Sequence, residues 1–116
     1  MNSTALSHLL AGLAIVAFSW PLVRRMIGRN RFYGIRTREA FASEEQWYKI
    51  NEYGGRLFLR WGIVVVVIGL VGLALPRSLW FAYIWASLAV IIGSLVVVIV
   101  TLRRYTGQMK DIQDSP

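Results

Sequence analysis

The sequence contains no cysteine, a single histidine and few acidic residues. Its 116 residues include six Asp and Glu against thirteen Lys and Arg, which gives a formal charge of +7. Without cysteine the chain can form neither a disulfide framework nor a thiolate site. His8 cannot build a metal site alone, so we expect no bound metal.

Side chains that could carry out catalysis are also scarce. Glu44 and Glu45 are neighbours, but residues i and i+1 on a helix do not face each other. A predicted membrane segment separates His8 from the polar loop, so no Ser–His–Asp arrangement is expected. The Gly54-Gly55 pair lacks the spacing of a phosphate-binding loop. We therefore expect a protein that is not an enzyme and binds no cofactor.

Hydrophobic residues make up 56% of the chain, more than the roughly 45–50% typical of soluble domains. They are concentrated in three segments, at residues 4–23, 57–75 and 79–102, and about 20 apolar residues suffice to cross a membrane core. The first segment is not a signal peptide, because Arg24 and Arg25 follow it rather than precede it. These features predict a single all-α domain, an integral membrane protein with three transmembrane helices. The scarcity of polar side chains near their centres argues against a transporter.

The basic residues lie almost entirely on one side of the predicted membrane. Nine flank or occupy the loop 24–56, three lie in the polar tail 103–116, and only Arg77 lies on the other side. This asymmetry predicts that the N-terminus is outside and that the loop and C-terminus are cytoplasmic. It also indicates binding to anionic inner-leaflet lipid rather than to nucleic acid. His8 would lie near the outer end, either as an interfacial residue or facing a cavity.

Small residues in the second and third segments indicate where helices could approach closely. The second segment carries three spaced glycines, and the third has a small-xxx-small pair, Ala89 and Gly93. The three glycines are Gly62, Gly69 and Gly72.

The stretch Asn30 to Thr37 has the chemistry of a turn. Gly34 can adopt a positive φ without steric cost, and the Asn30 side chain can bond its own backbone. Arg36 follows this turn and allows two interpretations. It is either an anchor to anionic lipid or a bidentate donor to carbonyls or a carboxylate that organises the loop.

The stretch Ser43 to Gly55 predicts a helix. Ser43 and Gln46 match a capping box, and the acids that follow Ser43 suit the positive end of the helix dipole. Charged residues form one stripe of this helix and apolar ones the opposite stripe, which continues into the second hydrophobic segment. The helix is thus the start of the second membrane helix, with Gly54-Gly55 as a site for a bend. The charged stripe is Glu45, Lys49, Glu52 and Arg56; the apolar stripe is Trp47, Ile50, Gly54, Leu57 and Trp61.

The spaced pattern N-x-x-Y-G-I-R-T from Asn30, then S-E-x-x-W and N-x-x-G-G, resembles the signature of the SdpI-like (sporulation-delaying protein immunity) family. The resemblance covers residues 28–75 well and the third segment only by hydropathy. Arg38 stands where a proline often follows the Thr. The residues that match the family motif are Asn30, Gly34, Arg36, Thr37, Trp47, Asn51 and Gly55. With Ser43, Glu44 and Gly54 they form our candidate functional motif.

The resemblance implies a small bacterial integral membrane protein that confers immunity to a membrane-active peptide toxin. The best-known member also holds a transcriptional repressor at the membrane. The alternative is therefore a membrane-bound regulatory adaptor whose basic loop binds a soluble cytoplasmic partner. A subunit of a transport or envelope complex is a third option, and a homo-oligomer is left open.

Overall fold

Three long helices make up most of the protein. The computed structural model describes residues 1–113, with side chains through Met109; residues 114–116 of the predicted tail lie outside this range. The helices are α1 (Ser3–Val23), α2 (Glu44–Ala74) and α3 (Trp80–Gln113). Two short 3-10 turns, Ala40–Ala42 and Arg77–Leu79, lie in the connections, and all regular structure within the described range is helical. Each long helix is apolar and long enough to cross a membrane.

The long helices extend beyond the hydrophobic segments. α2 begins at Glu44, so the amphipathic stretch and the second membrane segment form one helix that continues through Gly54 and Gly55. α3 remains helical to Gln113, where the sequence indicated a polar tail from residue 103. Its extension is held by packing, because Tyr105 stacks on Tyr53 of α2 with ring centroids 3.9 Å apart.

Close approach of α1 and α2 depends on glycines. A Cβ on Gly69 would lie 2.5 Å from the backbone nitrogen of Leu9, and one on Gly12 would lie 2.6 Å from that of Val66. Contacts between backbones leave no room for a side chain, as in small-residue interfaces of membrane helices. The predicted role of Gly62, Gly69 and Gly72 is therefore confirmed, and all three are buried.

Two glycine substitutions should have opposite effects on stability. Gly69→Ala should lower the thermal stability of the purified protein, since overpacking costs about 1–3 kcal/mol. Gly93 has open space where its Cβ would lie. Gly93→Ala should therefore be neutral or stabilising, since Ala is the better helix former. Melting curves in detergent measure both, and equal effects would show that the α1–α2 contact is not tight.

α3 contacts the other helices through side chains rather than backbone. The Tyr83 hydroxyl donates to the carbonyl of Ile68 at 2.9 Å, and the Trp61 indole N–H donates to Ser94 Oγ at 3.0 Å. At the end of the bundle near the N-terminus, His8 Nε2 lies 3.1 Å from Ser87 Oγ. The Ala89–Gly93 pair does not mediate this packing, because Gly93 faces open space.

The orientation of the protein in the membrane stays a prediction, and reporter fusions test it. Alkaline phosphatase is active only outside the cytoplasm. A fusion after Lys49 should be inactive, and a fusion after Arg77 should be active, because basic loops stay on the cytoplasmic side. The reverse pattern would place the loop outside.

Candidate functional site

Asn30 organises the first turn of the loop. Its Oδ1 accepts from the backbone N–H of Phe32 and Tyr33 at 2.8 and 2.7 Å, and its Nδ2 donates to the carbonyls of Gly28 and Tyr33. One amide thus satisfies four backbone groups, as expected for an Asx turn. Gly34 follows directly after this turn and has a φ of +105°.

Asn51 attaches this turn to α2. The Asn51 side chain is only 2% exposed. Its Oδ1 accepts from the Ile35 N–H at 2.6 Å, and its Nδ2 donates to the carbonyls of Ile35 and Trp47 at 3.2 and 3.0 Å. A Cβ on Gly34 would lie 2.5 Å from Asn51 Oδ1. Both the positive φ and the close approach therefore require glycine at this position.

Trp47 attaches both ends of the loop to α2. It is fully buried, and its indole N–H donates to the carbonyl of Ile27 at 2.9 Å. Its ring lies 5.4 Å from that of Phe41. Ala40, Trp47 and Ile50 form a small hydrophobic core. Residues 27–55 thus fold into one body, which we call the loop unit.

Arg36 and Thr37 lie on the outer side of the loop unit. Arg36 is exposed, and its guanidinium donates to the carbonyl of Arg31, closing the turn from outside. It forms no ion pair with a described carboxylate, Glu44 included, so of the two loop-organising partners the bond is to a carbonyl. Thr37 Oγ1 accepts from the Ala40 N–H at 3.3 Å, which starts the 3-10 turn.

Ser43 caps α2, but only half of the capping box forms. Ser43 Oγ accepts from the Gln46 N–H at 3.1 Å, while the buried Gln46 Oε1 has no hydrogen-bond partner among the described residues. Glu44 is exposed in the first turn of α2. It stabilises the helix through the dipole and contacts none of the other candidate residues by an ion pair or side-chain hydrogen bond in the described range.

Gly54 and Gly55 bring the loop unit against α1 and α3. A Cβ on Gly55 would lie 2.9 Å from that of Leu22 in α1. A Cβ on Gly54 would meet the Ile35 side chain and lie 3.3 Å from Leu102 in α3. Both glycines therefore serve close packing at the point where all three helices and the loop converge.

The structure thus brings most of the candidate residues together. Trp47 and Asn51 of α2 hold the loop, and Ser43 caps that helix. Glu44 stands apart, and Arg36 and Thr37 lie on the outer side.

Sequence reasoning missed the contacts by which Tyr33 and Arg25 connect the loop unit to α1. The Tyr33 hydroxyl donates to the carbonyl of Phe18 in α1, and burial raises the pKa of this phenol. Arg25 has φ 54° and pairs with Glu52 at 2.6 Å. No local pattern indicates either contact, because each joins residues far apart in the sequence.

Arginines are numerous on and beside the loop unit, and only some of them are paired. Glu52 pairs with both Arg25 and Arg56, and Glu45 pairs with Lys49 at 2.8 Å. The pairs on α2 confirm the predicted charged stripe. Several other arginines are exposed and form no ion pair with any described carboxylate: Arg24, Arg29, Arg31, Arg36 and Arg38.

Comparison with known proteins supports the family resemblance. The family model described as the SdpI/YfhL protein family matches residues 26–103, which include the whole loop unit, all of α2 and most of α3. No curated protein and no solved structure matches the chain. Since the family match covers well over half of the chain and includes every candidate residue, this multi-pass membrane protein belongs to the SdpI/YfhL protein family.

Proposed function

We propose that this protein protects the cell that makes it against a membrane-active peptide, and that the loop unit carries this activity. The observation that supports the proposal is the convergence of the family motif on one folded body. Apolar segments of many sequences could replace α1 and α3 and still cross a membrane. The loop unit could not be replaced so freely, because its cap, indole and amide each bond a specific backbone group and its Gly34 has a positive φ against the Asn51 side chain.

The role we propose is binding rather than catalysis. The polar side chains of the motif bond backbone groups of the loop unit itself, as Asn30 does with four hydrogen bonds and Asn51 with three. Side chains used in this way stabilise a surface rather than react with a substrate. That surface presents arginines, which suit carboxylate and phosphate groups.

Arg36→Lys tests whether the loop unit carries the activity. Lysine keeps the charge but loses the planar fork that reaches the Arg31 carbonyl. In a susceptible bacterium challenged with membrane-active peptides, the wild-type protein should raise the inhibitory concentration. Arg36→Lys should abolish this protection at normal protein levels.

The matched control is Arg38→Lys. Arg38 lies in the same loop, is exposed and has no described side-chain hydrogen bond. This variant should protect as the wild type does. Full protection by Arg36→Lys at matched expression would show that Arg36 acts only as a charged anchor to lipid.

A second candidate function is that of a regulatory adaptor for a soluble cytoplasmic partner. The exposed Glu45–Lys49 pair at the start of α2 favours it, because both side chains lie on the outer stripe of the loop unit. An adaptor should co-purify with its partner, and reversing the pair (Glu45→Lys with Lys49→Glu) should abolish the association. An immunity protein should tolerate this reversal.

A further inference from the structure

An apolar groove runs along the bundle next to the loop unit. It has a volume of about 530 Å³ and is lined by one face of α1 between Ala14 and Leu22, and by Phe58 and Trp61 of α2. Residues 32–35 of the loop also line it. The stretch of α1 that lines it spans roughly 12 Å at 1.5 Å per residue. We call this feature the inner groove.

The polar groups in the wall of the inner groove are already satisfied. Ser19 Oγ donates to the carbonyl of Ile15 at 2.6 Å, and the Tyr33 hydroxyl donates to that of Phe18. Hydroxyls engaged in this way offer little to a polar ligand. A peptide backbone placed here would leave buried donors and acceptors without partners, which is costly. A hydrocarbon chain has no such groups, so the wall suits hydrocarbon.

Positive charge flanks the loop segment that lines the groove. This segment, residues 32–35, lies between Arg31 and Arg36 in the sequence. Both arginines are exposed and form no ion pair with a described carboxylate, unlike Arg25 and Arg56, which share Glu52. Phe32, which follows Arg31 and is 92% exposed, also lines the groove. The site therefore combines an apolar groove with neighbouring positive charge.

We infer that the inner groove binds one acyl chain of an anionic phospholipid, with the lipid phosphate against Arg31 and Arg36. Charge complementarity selects the anionic headgroup, since arginine binds phosphate through its planar fork. The apolar wall favours binding of the acyl chain of the lipid. This inference does not rest on the proposed immunity, because lipid binding can be measured without any toxin.

Native mass spectrometry of the full chain in detergent tests this inference. Phosphatidylglycerol and phosphatidylcholine with identical acyl chains serve as probes. Phosphatidylglycerol should bind on the order of tenfold more tightly, given the usual contribution of basic residues near anionic lipid. Equal affinity for the two lipids would overturn the inference.

Arg31→Gln tests the headgroup contact without disturbing the loop, because only the backbone carbonyl of Arg31 is used in the described hydrogen bonds. It should lower the preference for phosphatidylglycerol several-fold, while Arg38→Gln should leave it unchanged. Equal losses in the two variants would mean a diffuse charge effect and would overturn a defined site.

Ala14→Phe tests the chain contact by filling the groove from an exposed position. It should remove the tightly bound phosphatidylglycerol, whereas Ala89→Phe, on an exposed face of α3 outside the groove, should not. Both variants should elute as single species in size-exclusion chromatography. Unchanged binding by Ala14→Phe would overturn the assignment to this groove. Displacement of the lipid by inorganic phosphate alone would show recognition of phosphate without the chain, and would also overturn it.

Discussion

Asn51→Leu should release the loop from α2 and make it about a hundredfold more sensitive to trypsin. Leucine has a similar volume but leaves the N–H and carbonyl of Ile35 without their partner. Each buried polar group left unsatisfied costs about 1–3 kcal/mol, so we expect a loss of about 3 kcal/mol in the local stability of the loop. A loss of this size raises the open population about a hundredfold, and proteolysis follows that population when opening is fast.

Trypsin reports on this opening because arginines occur throughout the loop. Cleavage after Arg31, Arg36 and Arg38 can be followed by mass spectrometry on the protein in detergent. Tyr53→Phe is the matched control, because Tyr53 lies on the same part of α2 and its ring stack on Tyr105 does not need the hydroxyl. An Asn51→Leu protein cleaved at the rate of this control would show that the loop is held by other contacts.

Trp47→Ala should cause the largest loss of global stability among single substitutions in the loop unit. Truncating a buried Trp costs about 3–5 kcal/mol in soluble cores. Here the substitution also removes the hydrogen bond to Ile27 and the contact with Phe41. We expect a lower yield of folded protein and a lower melting temperature by intrinsic fluorescence or size-exclusion chromatography after heating.

Trp80→Ala is the comparison for this effect. Trp80 is partly exposed at the start of α3, and its indole N–H donates to the carbonyl of Leu75 at 3.1 Å. It therefore also loses one hydrogen bond, but little buried area. Equal destabilisation by the two substitutions would mean that the core around Trp47 contributes little to folding.

The helices could be predicted from sequence because membrane segments depend on local composition. Uninterrupted apolar residues predicted the three segments, and Ser43 marked the start of α2 through its preference for the N-cap. The turn at Gly34 was also predictable, because an Asx turn and a positive φ are set by nearby residues. The length of α3 was not, because Tyr105 and Met109 are held by packing against the loop unit rather than by hydropathy.

The candidate residues could be named, but their partners could not. Asn51 was identified through the family motif, and nothing in the sequence near it indicates that it binds Ile35, sixteen positions earlier. For Arg36 the sequence left open an anchor to anionic lipid and a bond to carbonyls or a carboxylate, and it could not distinguish them. The pairing of Arg25 with Glu52 depends on how α1 ends, which the sequence pattern does not encode.

α2 is one continuous helix that is long enough to cross the membrane and also forms part of the loop unit. Its 31 residues span roughly 46 Å, against a hydrocarbon core of about 30 Å. Trp47 and Asn51 fix the loop to the first turns of α2. The loop unit therefore moves with α2 when this helix tilts. A tilt of 10° would move one end of α2 by about 8 Å relative to the other. Any lipid or peptide that changes the tilt of α2 within the bilayer therefore changes the angle and the lateral position of the arginines of the loop unit at the membrane surface.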